Sequence, residues 1–271
     1  MMRTIVIGDI HGCYDEFMKL LEKVQLTDDD FLVSLGDIVD RGNKSREVYA
    51  YFRNRPNSTV LVGNHERKHQ NNVLSYAQEI VKLQFGNEYN DFIAWISTLS
   101  YYHETDDAII VHAAFEHDKL IHEQKAEVLC GATSGERFLE KKYGVEQHWT
   151  DFYNGQKPVI YGHHVVGDQP KIKNNTFGIN TGACHGGYLT AIALPAFEIF
   201  QVKVDRDYWR QEREKWQIPV LKAKNWDNME IAAIESQIEK LGYLEDAEVK
   251  NYLLEMKNWL SELDKLTISI K

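Results

Sequence analysis

Short apolar runs alternate with amphipathic stretches along most of the chain, and eight of these runs predict β-strands. Each run is apolar or β-branched and ends near Gly, Asp, Asn or His, as strands bounded by turns do. The runs are Thr4 to Ile7, Phe31 to Ser34, Thr59 to Leu61, Ala108 to Val111, Val159 to Tyr161, Thr176 to Asn180, Leu189 to Ala193 and Glu198 to Val202. Tyr14 to Val24 carries apolar residues at helical spacing, so the chain begins with a strand–helix–strand unit. The last runs follow one another without a helix, which predicts antiparallel pairing in the second half of the sheet system.

The pattern changes near Asp205, where a stretch rich in charged and aromatic residues begins. Two helical patterns follow it. The first has a capping box starting at Asp227 and an apolar face that runs from Ile231 to Leu241, and the second covers Ala247 to Leu266. We therefore predict a catalytic domain over residues 1–204 and a helical hairpin over residues 205–271 packed on it. A structural buttress, a homodimer contact and a substrate-selecting cap are alternative interpretations of the hairpin.

Composition and charge narrow the class of protein. With 43% hydrophobic and 27% charged residues, the chain has the composition of a folded globular protein. A formal net charge of -10 argues against an extended nucleic-acid surface, because phosphate backbones are bound by Lys and Arg. Three cysteines without CxxC spacing indicate neither a disulfide framework nor a zinc cage. No signal peptide and no membrane-spanning apolar run of about 18 residues is visible, which predicts a cytoplasmic protein without a membrane partner.

Polar loops follow five of the predicted strands, and four of these loops contain glycine. They are Gly8 to Gly12, Gly36 to Gly42, Gly63 to Glu66, Val111 to Ala113 and Tyr161 to His164. Singly, each is an ordinary turn, but the ends of neighbouring strands meet in one crevice, where glycine permits close backbone approach. The candidate metal ligands are Asp9, His11, Asp37, Asn64, His112 and His163. Carboxylate, amide and imidazole ligands without a thiolate suit Mn, Fe, Zn or Mg-type ions more than a structural zinc, and their number suits two ions that share a bridge.

The order of these motifs resembles that of the calcineurin-like metallophosphoesterase superfamily. The motifs are Gly-Asp-x-His-Gly, Gly-Asp-x-Val-Asp-Arg-Gly, Gly-Asn-His-Glu, Val-His-Ala and Gly-His. The Asp-Arg-Gly ending of the second motif is similar to the phosphoprotein-phosphatase-type branch, and the resemblance covers residues 4 to 204. It implies an α/β fold of two face-to-face β-sheets flanked by helices, a four-layer sandwich with the metals at the loops on one edge. The C-terminal helical hairpin is added to this fold.

The resemblance also implies which residues hold the metals. Asp9, His11 and Asp37 would hold the first ion, and Asp37 would bridge to a second ion completed by Asn64, His112 and His163. Mn is the expected metal, with Fe, Zn, Co and Ni as alternatives, since all accept these ligands. The implied reaction is hydrolysis of a phosphate ester or anhydride by direct attack of a metal-bridging hydroxide. Hydroxide is available for this attack near neutral pH, because water bound between two dications has a strongly lowered pKa.

Three further residues receive catalytic roles from the resemblance. His65 would donate a proton to the leaving group, Asp40 would orient His65, and Arg41 would bind the substrate phosphate. An arginine can fork onto two phosphate oxygens, and a histidine with an acidic partner can stay protonated near neutral pH. A salt bridge to Arg41 is the alternative for Asp40.

Departures from the family pattern fall outside the ligand positions. Ala114 stands where relatives commonly have Gly, His164 where they have Thr or Ser, and Asn180 where they often have Asp. His164 is either a substrate contact or a supporting surface residue. Arg137 is a candidate for a second phosphate-binding arginine, and a solvated charge at the start of a helix is its alternative.

The substrate class is inferred from the later motifs. Segments 130–137 and 179–191 look similar to bacterial diadenosine tetraphosphate hydrolases and to the phosphatase module of bacterial polynucleotide kinase–phosphatase. This similarity implies a small nucleotide-like or nucleotide-end substrate. A serine/threonine phosphoprotein phosphatase, a catalytically silent scaffold and a partner-binding protein that acts through its C-terminal helices are the alternatives. All expected ligand and catalytic positions are filled, which favours an active enzyme over a scaffold.

Overall fold

The structure is a computed structural model that describes residues 3–241 and 246–269. These residues form two compact units, and the boundary lies between Glu212 and Arg213. The division of the sequence at residues 204/205, with the hairpin packed on the catalytic domain, stays a prediction. No helix in the described ranges is both long enough and apolar enough to cross a membrane. Cys13, Cys130 and Cys184 are free and buried.

The strands of the first unit include all eight predicted runs, with ends that differ by at most two residues. They are β1 (Thr4–Ile7), β2 (Phe31–Ser34), β3 (Ser58–Val60), β4 (Tyr102–Glu104), β5 (Ile109–Val111), β6 (Val159–Tyr161), β7 (Lys171–Lys173), β8 (Thr176–Gly178), β9 (Tyr188–Leu194) and β10 (Glu198–Lys203). The two strands that the apolar pattern did not predict, β4 and β7, lie at opposite edges of one sheet.

The strands form two five-stranded sheets, in the orders β10-β9-β1-β2-β3 and β4-β5-β6-β8-β7. In the first sheet, β1, β2 and β3 are parallel, and β9 is antiparallel to both β1 and β10. In the second sheet, β5, β6 and β8 are parallel. The prediction of antiparallel pairing is correct for β9 with β10 and wrong for β6 with β8. The chain leaves β6, forms the edge strand β7 first, and then turns back at Asn174 and Asn175 into β8 beside β6.

The two sheets pack face to face through one layer of apolar side chains. Because side chains alternate along a strand, Val6 of β1 and Ile160 of β6 point into this layer, while their neighbours point to the outer faces. The layer consists of Val6, Val33, Leu35, Leu61, Ala108, Ile110, Ile160, Ile179, Ile192 and Leu194. The central strands are therefore buried on both faces, which explains why they read as continuous apolar runs. The expected sandwich is confirmed.

Helices of the first unit cover the outer faces of its sheets. The described residues form α1 (Tyr14–Lys23), α2 (Ser45–Asn54), α3 (Asn64–Gln70), α4 (Tyr76–Phe85), α5 (Tyr89–Ile96), α6 (Ala126–Leu129), α7 (Thr133–Tyr143), α8 (Tyr208–Lys215), α9 (Gln217–Ala223), α10 (Ile231–Leu241) and α11 (Ala247–Ser269). Phe17 and Leu20 of α1 are fully buried in the core against the first sheet, as the helical spacing predicted. Val128 and Leu129 of α6 belong to the core against the second sheet.

The C-terminal unit has its own apolar core. Ile234 and Ile238 of α10 and Val249 and Leu253 of α11 are buried in it, in agreement with the predicted apolar faces. The capping box expected at Asp227 is wrong, because residues 226–228 form a 3₁₀ turn and α10 begins only afterwards. Gly242, the expected end of the first helix, lies outside the described residues.

Candidate metal and phosphate site

The predicted site residues lie on loops that follow five parallel strands of the two sheets. In the first sheet, β1 leads to Asp9 and His11, β2 to Asp37, Asp40 and Arg41, and β3 to Asn64 at the start of α3; in the second sheet, β5 leads to His112 and β6 to His163. The ends of these strands meet at one edge of the sandwich. The fold therefore brings together all six candidate ligands.

An uncommon backbone conformation orients several of these side chains. His11, Asp37, Asp40, Arg41 and His163 all have positive φ, at 46°, 49°, 69°, 65° and 67°. Such a conformation is uncommon for residues other than glycine and costs free energy unless the surrounding structure imposes it. Its concentration at this edge of the sandwich is typical of a functional site.

Two positions at the site must be glycine, because the candidate carboxylates occupy the space that a Cβ atom would need. A Cβ atom at Gly63 would stand 2.2 Å from Asp37 Oδ1, and one at Gly162 would stand 2.2 Å from Asp9 Oδ1. No side chain fits at such distances, so the glycine next to Asn64 and the one next to His163 make room for these carboxylates.

Asp37 lies at the centre of the cluster and is shared by two groups of donor atoms. His11 Nε2 is 3.6 Å from Asp37 Oδ2, and His112 Nε2 is 3.6 Å from Asp37 Oδ1. Asn64 Oδ1 lies 3.3 Å from His112 Nε2 and 3.0 Å from His163 Nδ1. One carboxylate thus faces ligand atoms on two sides, the arrangement that a bridging ligand needs.

The hydrogen bonds of the three histidines leave the nitrogen that faces the cluster with its lone pair in each ring. Nδ1 of His11 and Nδ1 of His112 lie 2.9 and 3.0 Å from main-chain carbonyl oxygens. A carbonyl only accepts, so both Nδ1 atoms donate and both Nε2 atoms present lone pairs to Asp37. His163 is reversed, because its Nε2 lies 3.0 Å from Glu136 Oε1. Burial lowers the pKa of His112 to about 4 and also lowers that of His11, which favours the neutral, ligating form.

The fit to a cation also follows from Asp9. Its buried carboxylate accepts a 2.8 Å hydrogen bond from Asn180 Nδ2 and 3.2 Å hydrogen bonds from the main-chain N–H of His163. Burial, with the nearby charge of Asp37, raises the pKa of Asp9 to about 7. A divalent cation between two such carboxylates would reverse this penalty. Donor types, tautomers and charge thus all fit divalent metal ions.

Asp40 holds two histidines beside the cluster. Its Oδ2 lies 2.5 Å from His65 Nδ1, its Oδ1 lies 3.0 Å from His69 Nε2, and Gln78 Nε2 donates to the same carboxylate. Burial alone would raise the pKa of Asp40, but the charges and hydrogen bonds of His69 and His65 outweigh it and hold the pKa low. Asp40 is thus committed to histidines, and no Asp40–Arg41 ion pair occurs among the described residues.

Arg41 lies across the opening of the cluster. Its Nη1 is 3.2 Å from His11 Nε2, and its Nη2 is 3.1 Å from His65 Nε2. The guanidinium therefore spans the space between a candidate metal ligand and the candidate proton donor.

Four residues for which the sequence predicted no role support the site: Glu66, His69, Gln78 and Glu136. Glu66 accepts hydrogen bonds from the main-chain N–H groups of Asp37, Ile38 and Gly63 at 2.7, 2.9 and 3.0 Å. The Gly-Asn-His-Glu motif contained that signal, since Glu66 ends it. His69 follows His65 by four residues on α3, so helical spacing pointed to it. Gln78 and Glu136 left no comparable signal.

Arg137 and His164 lie at the periphery. Arg137 is exposed on α7, and it does not line the cavities beside the cluster. The side chain of His164 is 67% exposed, and its Nε2 lies 3.2 Å from Glu136 Oε1. His164 thus stands at the mouth of the site, next to the group that orients His163.

Two cavities adjoin the cluster. The first, a groove of about 460 Å³, is lined by the candidate ligands Asp37, Asn64 and His163 and by the cations Arg41, Arg67 and Lys68, among others. The second, about 290 Å³, is lined by apolar side chains such as Trp149 and by polar ones that include His163. A charged groove and a more apolar cavity thus meet at two histidines, His163 and His164.

These motifs and their geometry agree with a known family. A family model described as calcineurin-like phosphoesterase matches residues 2–180. The chain belongs to that family. It is a phosphoester-hydrolysing enzyme, as the motif order predicted, and the metal dependence of calcineurin-like phosphoesterases agrees with the His and Asp clusters at the sheet edge.

Two sequence relatives from different Bacillus species carry the same enzyme name. The chain is 30% identical over 241 residues to the bis(5′-nucleosyl)-tetraphosphatase PrpE (asymmetrical) of Bacillus cereus, with 74% of this chain and 94% of the relative covered. A protein of the same name from Bacillus thuringiensis is 29% identical with the same coverage.

Solved structures show the same fold. One that carries the provisional name diadenosine tetraphosphatase has a TM-score of 0.62 at 21% identity and covers 74% of this chain and 93% of its own. A serine/threonine phosphatase from Saccharomyces cerevisiae has a TM-score of 0.51 at 15% identity and covers 76% of this chain and 80% of its own. The calcineurin-like sandwich is therefore shared across enzymes with different names.

Proposed function

We propose that the chain is a dinuclear-metal-dependent phosphoesterase that acts on small nucleotide-like or nucleotide-end substrates. The observation that carries the proposal is the shared carboxylate of Asp37, which faces the Nε2 atoms of His11 and His112 on two sides. The sequence similarity to bis(5′-nucleosyl)-tetraphosphatases supports the substrate class. A cytoplasmic location and a homodimer through the C-terminal helices stay predictions.

The proposed ligand sets follow the donor atoms. Asp9, His11 and Asp37 hold one ion, and Asp37, Asn64, His112 and His163 hold the other. Two such ions, when bound, supply a hydroxide near neutral pH and neutralise the phosphoryl oxygens. Oxygen and imidazole ligands without thiolate suit Mn²⁺, which we propose as the native metal.

The side chains around the metals position the phosphate and move the proton. Arg41 directs two guanidinium N–H groups toward the phosphate position, where a fork fits two oxygens. His65 Nε2 faces the same space and gives its proton to the leaving oxygen. Asp40 Oδ2 lies 2.5 Å from the opposite ring nitrogen of His65, which fixes the orientation of the ring.

The first test is phosphate release with added Mn²⁺ from a small panel of substrates. The panel contains p-nitrophenyl phosphate, its bis-ester, diadenosine tetraphosphate, a 3′-phosphorylated oligonucleotide and a phosphopeptide. We expect metal-dependent turnover, with a nucleotide substrate preferred. His112→Ala should lose metal and nearly all activity, and it serves as the matched negative control.

The panel also separates the alternatives. Preference for the phosphopeptide would favour a protein phosphatase over a nucleotide hydrolase. Elemental analysis of the loaded protein should give two metals per chain, and a single metal would contradict the dinuclear proposal. No turnover with two metals bound would favour a silent scaffold.

A further inference from the structure

The groove beside the metal cluster receives a lysine from the same helix that supplies a candidate ligand. α3 begins at Asn64, and Lys68 follows four residues later. Residues four apart lie on the same face of a helix, about 6 Å apart along its axis. Both side chains line the 460 Å³ groove. α3 therefore extends the site one helical turn away from the metals and places a positive charge there.

Lys68 differs from the other two cations of the groove, Arg67 and Arg41, because each of those two has side-chain partners. Arg67 is paired with Glu127, whose Oε1 lies 2.8 Å from Arg67 Nη2. Arg41 is held between two histidines over the cluster. Lys68 forms no ion pair or side-chain hydrogen bond within residues 3–241 and 246–269. Its ammonium group is thus available to an anionic ligand in the groove, where Asn71 and Thr133 add polar side chains.

We propose that Lys68 binds the phosphate group adjacent to the one that is cleaved, so that the site recognises a chain of linked phosphates rather than an isolated phosphoester. Arg41 contacts the phosphate at the metals, and Lys68, as a compact point charge, contacts the next one along α3. A simple monoester has no second phosphate to reach Lys68. The inference rests on the proposed function of the same site and narrows its substrate class to polyphosphates.

The test compares Lys68→Met, which keeps the length of the side chain but removes its charge, with Lys68→Arg. Lys19→Met is the matched control, because Lys19 is an exposed helical lysine on α1, outside the groove. Binding of inorganic tripolyphosphate to the Mn²⁺-loaded full chain is measured by calorimetry with Mn²⁺ in excess. kcat/KM is measured for diadenosine tetraphosphate and for p-nitrophenyl phosphate.

We expect Lys68→Met to weaken tripolyphosphate binding about tenfold, the effect of losing one charge-assisted hydrogen bond. The loss of kcat/KM should be about tenfold greater for diadenosine tetraphosphate than for p-nitrophenyl phosphate. Lys68→Arg should recover most of both losses, and Lys19→Met should behave as wild type. If tripolyphosphate binding weakened while turnover of diadenosine tetraphosphate stayed unchanged, Lys68 would bind inorganic phosphate chains only. That result would overturn its proposed role toward nucleotides.

Equal losses for both substrates, or unchanged tripolyphosphate binding, would overturn the inference. The binding measurement also separates it from the proposed function. A wild-type protein that hydrolyses nothing but binds tripolyphosphate through Lys68 would contradict only the proposed enzymatic activity. Hydrolysis that does not depend on Lys68 would contradict only the role of the lysine.

Discussion

Each candidate ligating histidine is oriented by the hydrogen-bond partner of its second ring nitrogen. His11 and His112 use main-chain carbonyls, which mutation cannot remove. His163 instead depends on Glu136, whose carboxylate also contacts His164. Because the partner of a ligating histidine fixes both its ring orientation and its free nitrogen, Glu136 acts on the metal site without touching the metal position.

Replacing Glu136 with Ala should weaken metal binding about 10- to 100-fold, because His163 would lose the acceptor that fixes its tautomer. Calorimetric titration with Mn²⁺ measures the effect directly. Glu140→Gln, one turn further along α7, is the control and should bind Mn²⁺ as wild type does. Unchanged affinity in Glu136→Ala would show that the ring is held by packing alone.

His65→Ala should keep both metals and slow hydrolysis by an amount that depends on the leaving group. A poor leaving group needs protonation and should lose about 10²- to 10⁴-fold in kcat, whereas p-nitrophenolate needs little help. Comparing phenyl phosphate with p-nitrophenyl phosphate measures this difference. If both substrates slowed equally, His65 would not be the proton donor.

At the level of elements, the strands were predictable where they are buried on both faces. Val159 to Tyr161 is apolar throughout because one face meets the other sheet and the opposite face meets helices. The missed strand β7 is exposed along its whole length and reads Lys-Ile-Lys, so burial left no mark in its sequence. Its position was decided by a tight turn at Asn174 and Asn175, both with positive φ, which also reversed the expected direction of the next strand.

The same contrast holds for the site. The candidate ligands follow strands in repeated Gly-Asp and Gly-His patterns, so their convergence could be inferred from topology. Gln78 comes from α4, outside every motif, and reaches Asp40 only through tertiary packing. Lys68 was equally hidden, because its distinguishing property is the absence of a partner within the described groove, and a sequence does not show partners.

Glu66 joins two of these elements, the loop after β2 and the start of α3. Its carboxylate accepts three main-chain N–H groups, and Glu66→Gln would replace one acceptor with a donor facing donors. We expect a loss of about 1.5 to 3 kcal/mol in the free energy of unfolding, measured by urea denaturation. Glu22→Gln on the exposed side of α1 should cost less than about 0.5 kcal/mol. Equal effects would contradict the anchoring role.

For the whole molecule, the two units have separate cores, and the Bacillus relatives use 94% of their own length to match only 74% of this chain. A chain truncated after Lys215, which retains all of α8, should therefore fold and hydrolyse p-nitrophenyl phosphate at a rate within about threefold of the full chain, since a domain with its own core can fold alone. Circular dichroism and steady-state kinetics measure both properties. Loss of activity in a folded truncated chain would assign the C-terminal helices a part in catalysis.

The candidate ligands come from both sheets, with Asp9, His11, Asp37 and Asn64 on one and His112 and His163 on the other. A divalent ion at Asp37 would therefore act as a crosslink between two layers that also pack through apolar side chains and are joined by hydrogen bonds such as that from Asn180 to Asp9. Separation of the layers would release the ion, and an excess of 100 times the dissociation constant would oppose that separation by about 2.7 kcal/mol. The concentration of free metal would then set the free energy of unfolding of the enzyme as well as its activity.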